Sequence, residues 1–179
     1  QTPMSALRLG ELIQEAGYPA GVVNIVTGFG QTAGAALASN PGINKVTFTG
    51  STEVGKLVGK VAMENMTRIS LELGGKSPMI VLDDYDPVAA AAGAAQAIFF
   101  NSGQVCCAGS RLYVHKKNFD RVVSELANAA GKLKIGSGLD PATELGPLVS
   151  RAQLERVCSY IGSGVEQGAA IATGGTRSG

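Results

Sequence analysis

The stretch Lys45-Val46-Thr47-Phe48-Thr49-Gly50-Ser51-Thr52-Glu53-Val54-Gly55-Lys56-Leu57-Val58-Gly59-Lys60-Val61 decides how the chain folds. Lys45 to Phe48 reads as a strand. Val54, Leu57, Val58 and Val61 then repeat at helical spacing. Gly50-Ser51-Thr52 joins the two, with the helix starting near Thr52. Arg68 to Leu73 is strand-like again, so the stretch is one turn of a strand-helix-strand unit. Units of this kind build a largely parallel sheet, and the expected fold class is α/β.

The same alternation extends in both directions. Upstream, Leu9, Leu12, Ile13 and Ala16 mark a helix that Gly17 stops. Val22 to Val26 is a β-branched run ending at Gly28, which predicts a strand and a turn. A helix of small residues covers about Thr32 to Ala38 and stops near Asn40-Pro41. Downstream, Gly74-Gly75 breaks the pattern and marks an expected domain boundary, giving domains over 1–73 and 74–179. Beyond it, Met79 to Leu82 is strand-like, Val88 to Phe99 marks a buried helix face, and Leu112 to Val114 suggests a strand. Phe119 to Leu126 marks a helix, a loop rich in Gly and Pro runs from Gly136 to Pro147, and Leu154 to Ile161 gives the last helix.

Composition removes several function classes. The 179 residues are 45% hydrophobic and 16% charged, too apolar for a disordered chain. Fifteen Lys+Arg against 14 Asp+Glu leave a formal charge of +1, with no basic run beyond pairs such as Lys116–Lys117, so no nucleic-acid partner is expected. No apolar stretch reaches the roughly 20 residues of a membrane helix, so no membrane partner is expected either. Three cysteines, two of them adjacent, make no disulfide framework, and a cytoplasmic setting is the simplest inference. A single histidine, His115, leaves almost no material for a Ser-His-Asp triad or a multi-histidine metal site, and no metal is expected. The opening Gln1 and the closing Gly174-Gly175-Thr176-Arg177-Ser178-Gly179 suggest a segment of something longer, a processed complete domain being the alternative.

Four segments carry chemistry. Gly28-Phe29-Gly30-Gln31-Thr32-Ala33-Gly34 has the spacing G-x-G-x-x-x-G, one residue longer than the usual dinucleotide fingerprint, and suits either helix packing or a cofactor contact. At Gly50-Ser51-Thr52 the positive end of a helix faces Ser51, which either meets a phosphate or simply caps the helix. Leu71-Glu72-Leu73-Gly74-Gly75-Lys76-Ser77-Pro78 contains Gly-Lys-Ser, but Ser70 stands where a P-loop needs glycine. What remains there is a carboxylate at a strand end, structural or chemical, before a flexible glycine pair.

The fourth segment is Phe99-Phe100-Asn101-Ser102-Gly103-Gln104-Val105-Cys106-Cys107-Ala108-Gly109-Ser110-Arg111. Free cysteines are more often inert core residues than nucleophiles, and Cys158, in line with Leu154 and Ile161, is expected to be one of those. Cys106 differs by sitting in a polar loop flanked by glycine. An ordinary cysteine is only about 3% thiolate at pH 7, so a nucleophile needs a base or a tuned environment. With no Cys-His pair evident, a carboxylate base such as Glu72 becomes the candidate.

At these residues the sequence resembles the NAD(P)-dependent aldehyde dehydrogenase family. The matches are Phe48-Thr49-Gly50-Ser51-Thr52, Leu71 to Pro78, and Gly103-Gln104-Val105-Cys106, in the family's order and with Glu72 and Cys106 separated by 34 positions. The likeness runs from the opening Gln-Thr-Pro to the closing Gly-Gly, and implies the middle third of a longer enzyme. It implies a Rossmann-like sheet portion over 1–73 and the first part of a second, cysteine-bearing α/β domain over 74–179. It also implies Cys106 as nucleophile, Cys107 as its less suited neighbour, and Glu72 as general base. Ser51 would meet the pyrophosphate at the helix start, with Gly50 also cofactor-binding, Thr49 and Leu73 would lie near the nicotinamide, and Val54 would line the adenine pocket. Gly30 and Gly34 match the family's own longer glycine turn, and Asn101 fits the motif.

The resemblance implies oxidation of an aldehyde to a carboxylic acid through a cysteine thiohemiacetal and thioester, in a homo-oligomer, dimer or tetramer. NAD is the expected cofactor, with NADP the alternative. Met63 to Met66 and Gly103 to Arg111 are similar to bacterial enzymes acting on phenylacetaldehyde-like or other hydrophobic aldehydes. The family's oxyanion Asn and its adenosine-ribose Lys and Glu would precede Gln1, and its nicotinamide-ribose Glu would follow Gly179. A second expectation is therefore a catalytically incomplete cofactor-binding or structural fragment. A third is a cysteine acyltransferase or hydrolase without redox chemistry.

Overall fold

A computed structural model describes residues 1–177, so Ser178 and Gly179 of the closing glycine-rich turn lie outside the described residues. The chain divides into two compact units, Gln1–Leu73 and Gly74–Gly179.

In the first unit, helix α1 spans Met4–Glu15 and ends at Gly17, whose φ of 81° only glycine adopts readily. The β-branched run Val22 to Val26 is not a strand: no neighbouring strand supplies a ladder among the described residues, and Val26 stays 81% exposed. An extended run becomes a strand only by pairing, so side-chain preference alone did not suffice here. A wide turn over Gly30–Gly34 leads directly into α2, Ala35–Ala38, and helical geometry starts two residues ahead of the expected Thr32.

Strand β1, Lys45–Gly50, and strand β2, Arg68–Leu73, then pair in parallel, joined by helix α3 over Thr52–Glu64. Ala62 of α3 is fully buried, and the return into β2 passes through Met66 at φ 53°. Buried Thr67 ties that return down by donating its hydroxyl to the Ile43 carbonyl at 3.2 Å. Gly55 is buried on the first turn of α3, where an added Cβ would stand 2.6 Å from Leu73 Cδ2. Glycine at this position lets the helix approach the end of β2.

The second unit holds another parallel pair, β3 over Pro78–Val81 and β4 over Arg111–Val114. The parallel arrangement expected from sequence therefore occurs as two two-stranded sheets, one per unit. Helix α4, Pro87–Phe99, starts with Asp86 accepting from the Ala89 N–H at 2.8 Å and with proline at its first position. Ala90 and Ala91 of α4 pack with Val81 and with Val122 of helix α5, Phe119–Lys132, to form the core. Buried Asn118 donates to the carbonyls of Leu82, Asp83 and Tyr85, closing the loop after β3.

Helix α6 covers Arg151–Glu166 and buries none of its residues. Cys158 is exposed, not a core residue: the helix shares its apolar stripe only partly with neighbours, and the thiol lies outside the shielded part. No helix among the described residues is long and apolar enough to cross a membrane.

Candidate active site

Parallel strands bring their carboxyl ends to one edge, and in open α/β sheets ligands bind there. In the first unit, Thr49 stands opposite Glu72, and Gly50 opposite Leu73, at that edge. Ser51 follows β1 in an extended conformation (φ −72°, ψ 151°), and its Oγ accepts from the Val54 N–H at 3.2 Å. The capping role is therefore real. It satisfies one amide and leaves those of Thr52 and Glu53 at the head of a 13-residue helix, where no helical carbonyl serves them. This is donor geometry suited to a pyrophosphate, so the residues present fit the phosphate end of a dinucleotide.

The remaining residues of this group sit nearby in sequence with distinct surroundings. Val54 is 42% exposed on the first turn of α3, and Leu73 is half-buried against Gly55. A Cβ added to Gly50 would run into the Phe48 ring. Gly30 and Gly34 differ, since an added Cβ would meet nothing within 4 Å at either position. Among the described residues, no neighbour's packing demands glycine at either position.

In the second unit the chain leaves α4 and turns through three consecutive left-handed residues: Asn101 at φ 50°, Ser102 at 56° and Gly103 at 74°. Only the last is a glycine. Non-glycine residues held in this region signal a strained segment that its surroundings impose. The restraints are identifiable. Ser102 Oγ donates to the Gly146 carbonyl at 2.8 Å, and Gln104 Oε1 accepts from the Val149 N–H at 2.9 Å. Asn101 and Gln104 exchange side-chain-to-carbonyl bonds at 3.2 and 3.3 Å.

Cys106 and Cys107 follow this turn, and both are exposed. Past them Ala108 is buried, and Gly109 donates its N–H to the Ala97 carbonyl at 3.2 Å. Gly109 lies close against Met79 and Ala97, so that a side chain there would make the Met79 thioether move and crowd the Ala97 Cβ at 3.3 Å. Gly75 lies on the other side, its Cβ direction 3.7 Å from the Cys106 carbonyl oxygen. Cys106 therefore sits in a loop anchored at both ends, with its side chain open to solvent.

The structure thus gathers Thr49, Gly50, Ser51, Glu72 and Leu73 at one strand edge of the first unit, and places Cys106 on a pinned turn of the second. Glu72 is exposed at its strand end, which leaves its carboxylate available for chemistry. Reading from residues alone singled out the thiol and missed the anchors. Ser102 and Gln104 reach partners 44 and 45 positions away, and no local pattern announces such bonds.

The whole stretch 1–179 matches the model of the aldehyde dehydrogenase family. Among curated relatives, phenylacetaldehyde dehydrogenase of Pseudomonas fluorescens is 53% identical over 177 residues, covering 99% of this chain and 35% of that protein. The mitochondrial aldehyde dehydrogenase of Leishmania tarentolae is 51% identical over 180 residues, covering 100% of this chain and 36% of that protein. Among solved structures, an NAD+ complex of aldehyde dehydrogenase from Bacillus cereus superposes with a TM-score of 0.97 at 49% identity, over 99% of this chain and 36% of that one. The chain thus spans about a third of the length of these relatives. Its strand-end glycines, its capped helix and its cysteine turn lie within that match, and the chain belongs to the aldehyde dehydrogenase family.

Proposed function

We propose that the protein carrying this chain oxidises an aldehyde to a carboxylic acid with a nicotinamide cofactor, using Cys106 as nucleophile and Glu72 as general base. The observation that carries this reading is the exposed Cys106 thiol on a turn whose backbone is strained and anchored on both sides. An inert cysteine needs no such support.

The thiolate of Cys106 attacks the aldehyde carbon, forming a C–S bond while the carbonyl electrons move onto oxygen. The Cys106 backbone N–H donates to that oxygen. A nicotinamide cofactor, when bound, would accept the hydride from that carbon, which leaves the acyl group on Cys106 as a thioester. Glu72 then takes a proton from water as the water attacks the resulting thioester, and the acid leaves as Cys106 is restored. The amides of Thr52 and Glu53, with Ser51 and Gly50, would hold the pyrophosphate of a bound cofactor. Thr49 and Leu73 would flank the nicotinamide, Val54 would border the adenine, and Gly30 and Gly34 would let a bound cofactor come close to the backbone.

NAD is the proposed cofactor, supported by the NAD+ complex of the Bacillus cereus relative. A hydrophobic aldehyde is the proposed substrate, supported by the likeness to phenylacetaldehyde dehydrogenase. A cytoplasmic homo-oligomer, dimer or tetramer, completes the reading. The test is NADH production from octanal by the full-length protein and its Cys106→Ala variant. A loss of at least about a thousandfold is expected, and intact turnover in the variant would reject Cys106 as nucleophile.

A second reading concerns the 179 residues by themselves: they bind cofactor without turnover. Its support is the coverage of about a third of each relative, together with large apolar side chains left open, such as Phe29, Ile80 and Leu139. Titration of the purified chain with NAD and octanal decides it, since any steady NADH production contradicts this reading.

A further inference from the structure

We propose that Ser102 and Gln104 are positioning residues that aim the Cys106 thiol by locking its turn to the segment just ahead of α6; the proposal rests on Cys106 being the nucleophile. Their two long-range bonds run in opposite senses. Ser102 donates to the Gly146 carbonyl at 2.8 Å, and Gln104 accepts from the Val149 N–H at 2.9 Å. They bracket Gly103, so the turn is tethered on both sides of it.

The partner segment is itself well founded. Ser150 follows Val149 and caps the 16-residue α6, its Oγ accepting from the Gln153 N–H at 3.2 Å. The turn is thereby fastened to the head of a long helix. Left to local preference, Asn101 and Ser102 would return to negative φ. Such a return would carry the chain four residues on, at Cys106, sideways from any aldehyde carbon placed for attack. Near-attack geometry tolerates little of this: a displacement of about 1 Å can cost roughly a hundredfold in rate.

The side chains that impose the strain therefore preserve the aim of the sulfur without touching substrate. Fold maintenance alone would tie their loss to stability. Aiming ties it to the chemical step, and Ser102→Gly separates the two. Glycine accepts the left-handed conformation without strain, so this variant removes the bond to Gly146 while relieving the backbone.

The experiment uses the full-length protein with NAD and octanal, measuring the pre-steady-state NADH burst, KM for octanal, NAD affinity and Tm. For Gln104→Met and Ser102→Gly the burst rate is expected to fall about 10- to 100-fold. KM and NAD affinity should stay unchanged in both, and Tm should be unchanged or higher in Ser102→Gly. An unaltered burst in Ser102→Gly overturns the proposal. So does a burst loss that merely follows lost NAD affinity and lowered Tm in both variants. Cys106→Ala separates the two levels: if its burst persists, the nucleophile assignment fails and this proposal with it. If its burst vanishes while Ser102→Gly is normal, only the positioning role fails.

Discussion

The two units present chemistry by opposite means. In the first, the strand edge at Thr49, Gly50 and Ser51 is made from short-range rules: a strand ends, a serine caps, a helix begins, and the hydrogen bond that secures the cap spans three residues. In the second, the turn before Cys106 runs against local preference and is kept by bonds to partners more than 40 positions away. A phosphate-sized anion needs only a cluster of amides, which helix geometry supplies unaided. The nucleophile proposed at Cys106 would have to be aimed, and aiming requires rigid support from elsewhere in the fold.

The largest effect that sharpens this contrast is kinetic. Glu72 occupies the strand edge of the first unit, so Glu72→Gln should leave the turn around Cys106 and its burst intact. Steady-state turnover is expected to drop by about a hundredfold or more, the usual loss when a general base is removed. Rapid-mixing measurement of burst and steady state separates the two phases, and an unchanged steady state removes Glu72 from the base role.

The next effect bears on the second unit. Gly109→Ala forces a methyl group onto Met79 and Ala97, and overpacking of this kind costs about 1–3 kcal/mol. Thermal unfolding should register the loss, and alkylation of Cys106 by iodoacetamide should change rate as the end of its loop shifts. An unchanged alkylation rate would show that the loop is anchored at its other end alone.

The smallest effect tests the first unit. Ser51→Ala removes the cap on α3 and should cost about 1 kcal/mol of stability. NAD affinity is expected to weaken, whereas Ser51→Gly should restore most of the stability without restoring affinity. Equal affinity in all three proteins would make Ser51 a cap and nothing more, and would break the parallel between the two functional regions.

Periodicity revealed most of the elements. Helical spacing located α1, α3, α4, α5 and α6, and β-branched or apolar runs located β1 to β4, because burial on one face leaves a repeating imprint in sequence. The failure at Val22 to Val26 is instructive for the same reason: the imprint records what a segment prefers to bury, while strand formation depends on a partner. Cys158 misled in a similar way, since its place on an apolar stripe could not reveal how far the neighbouring elements shield that stripe.

Residue identity alone determined the α/β class, the glycine and serine at the head of α3, and the motifs that mark Glu72 and Cys106, because each depends on chemistry within a few positions. Only the tertiary structure decided that Asn101 and Ser102 are held left-handed, that Ser102 and Gln104 fasten the turn to the segment before α6, and that Gly109 lies close against Met79 and Ala97. Those features are contacts between residues distant along the chain. Their energies depend on how separate elements meet, which no local pattern encodes.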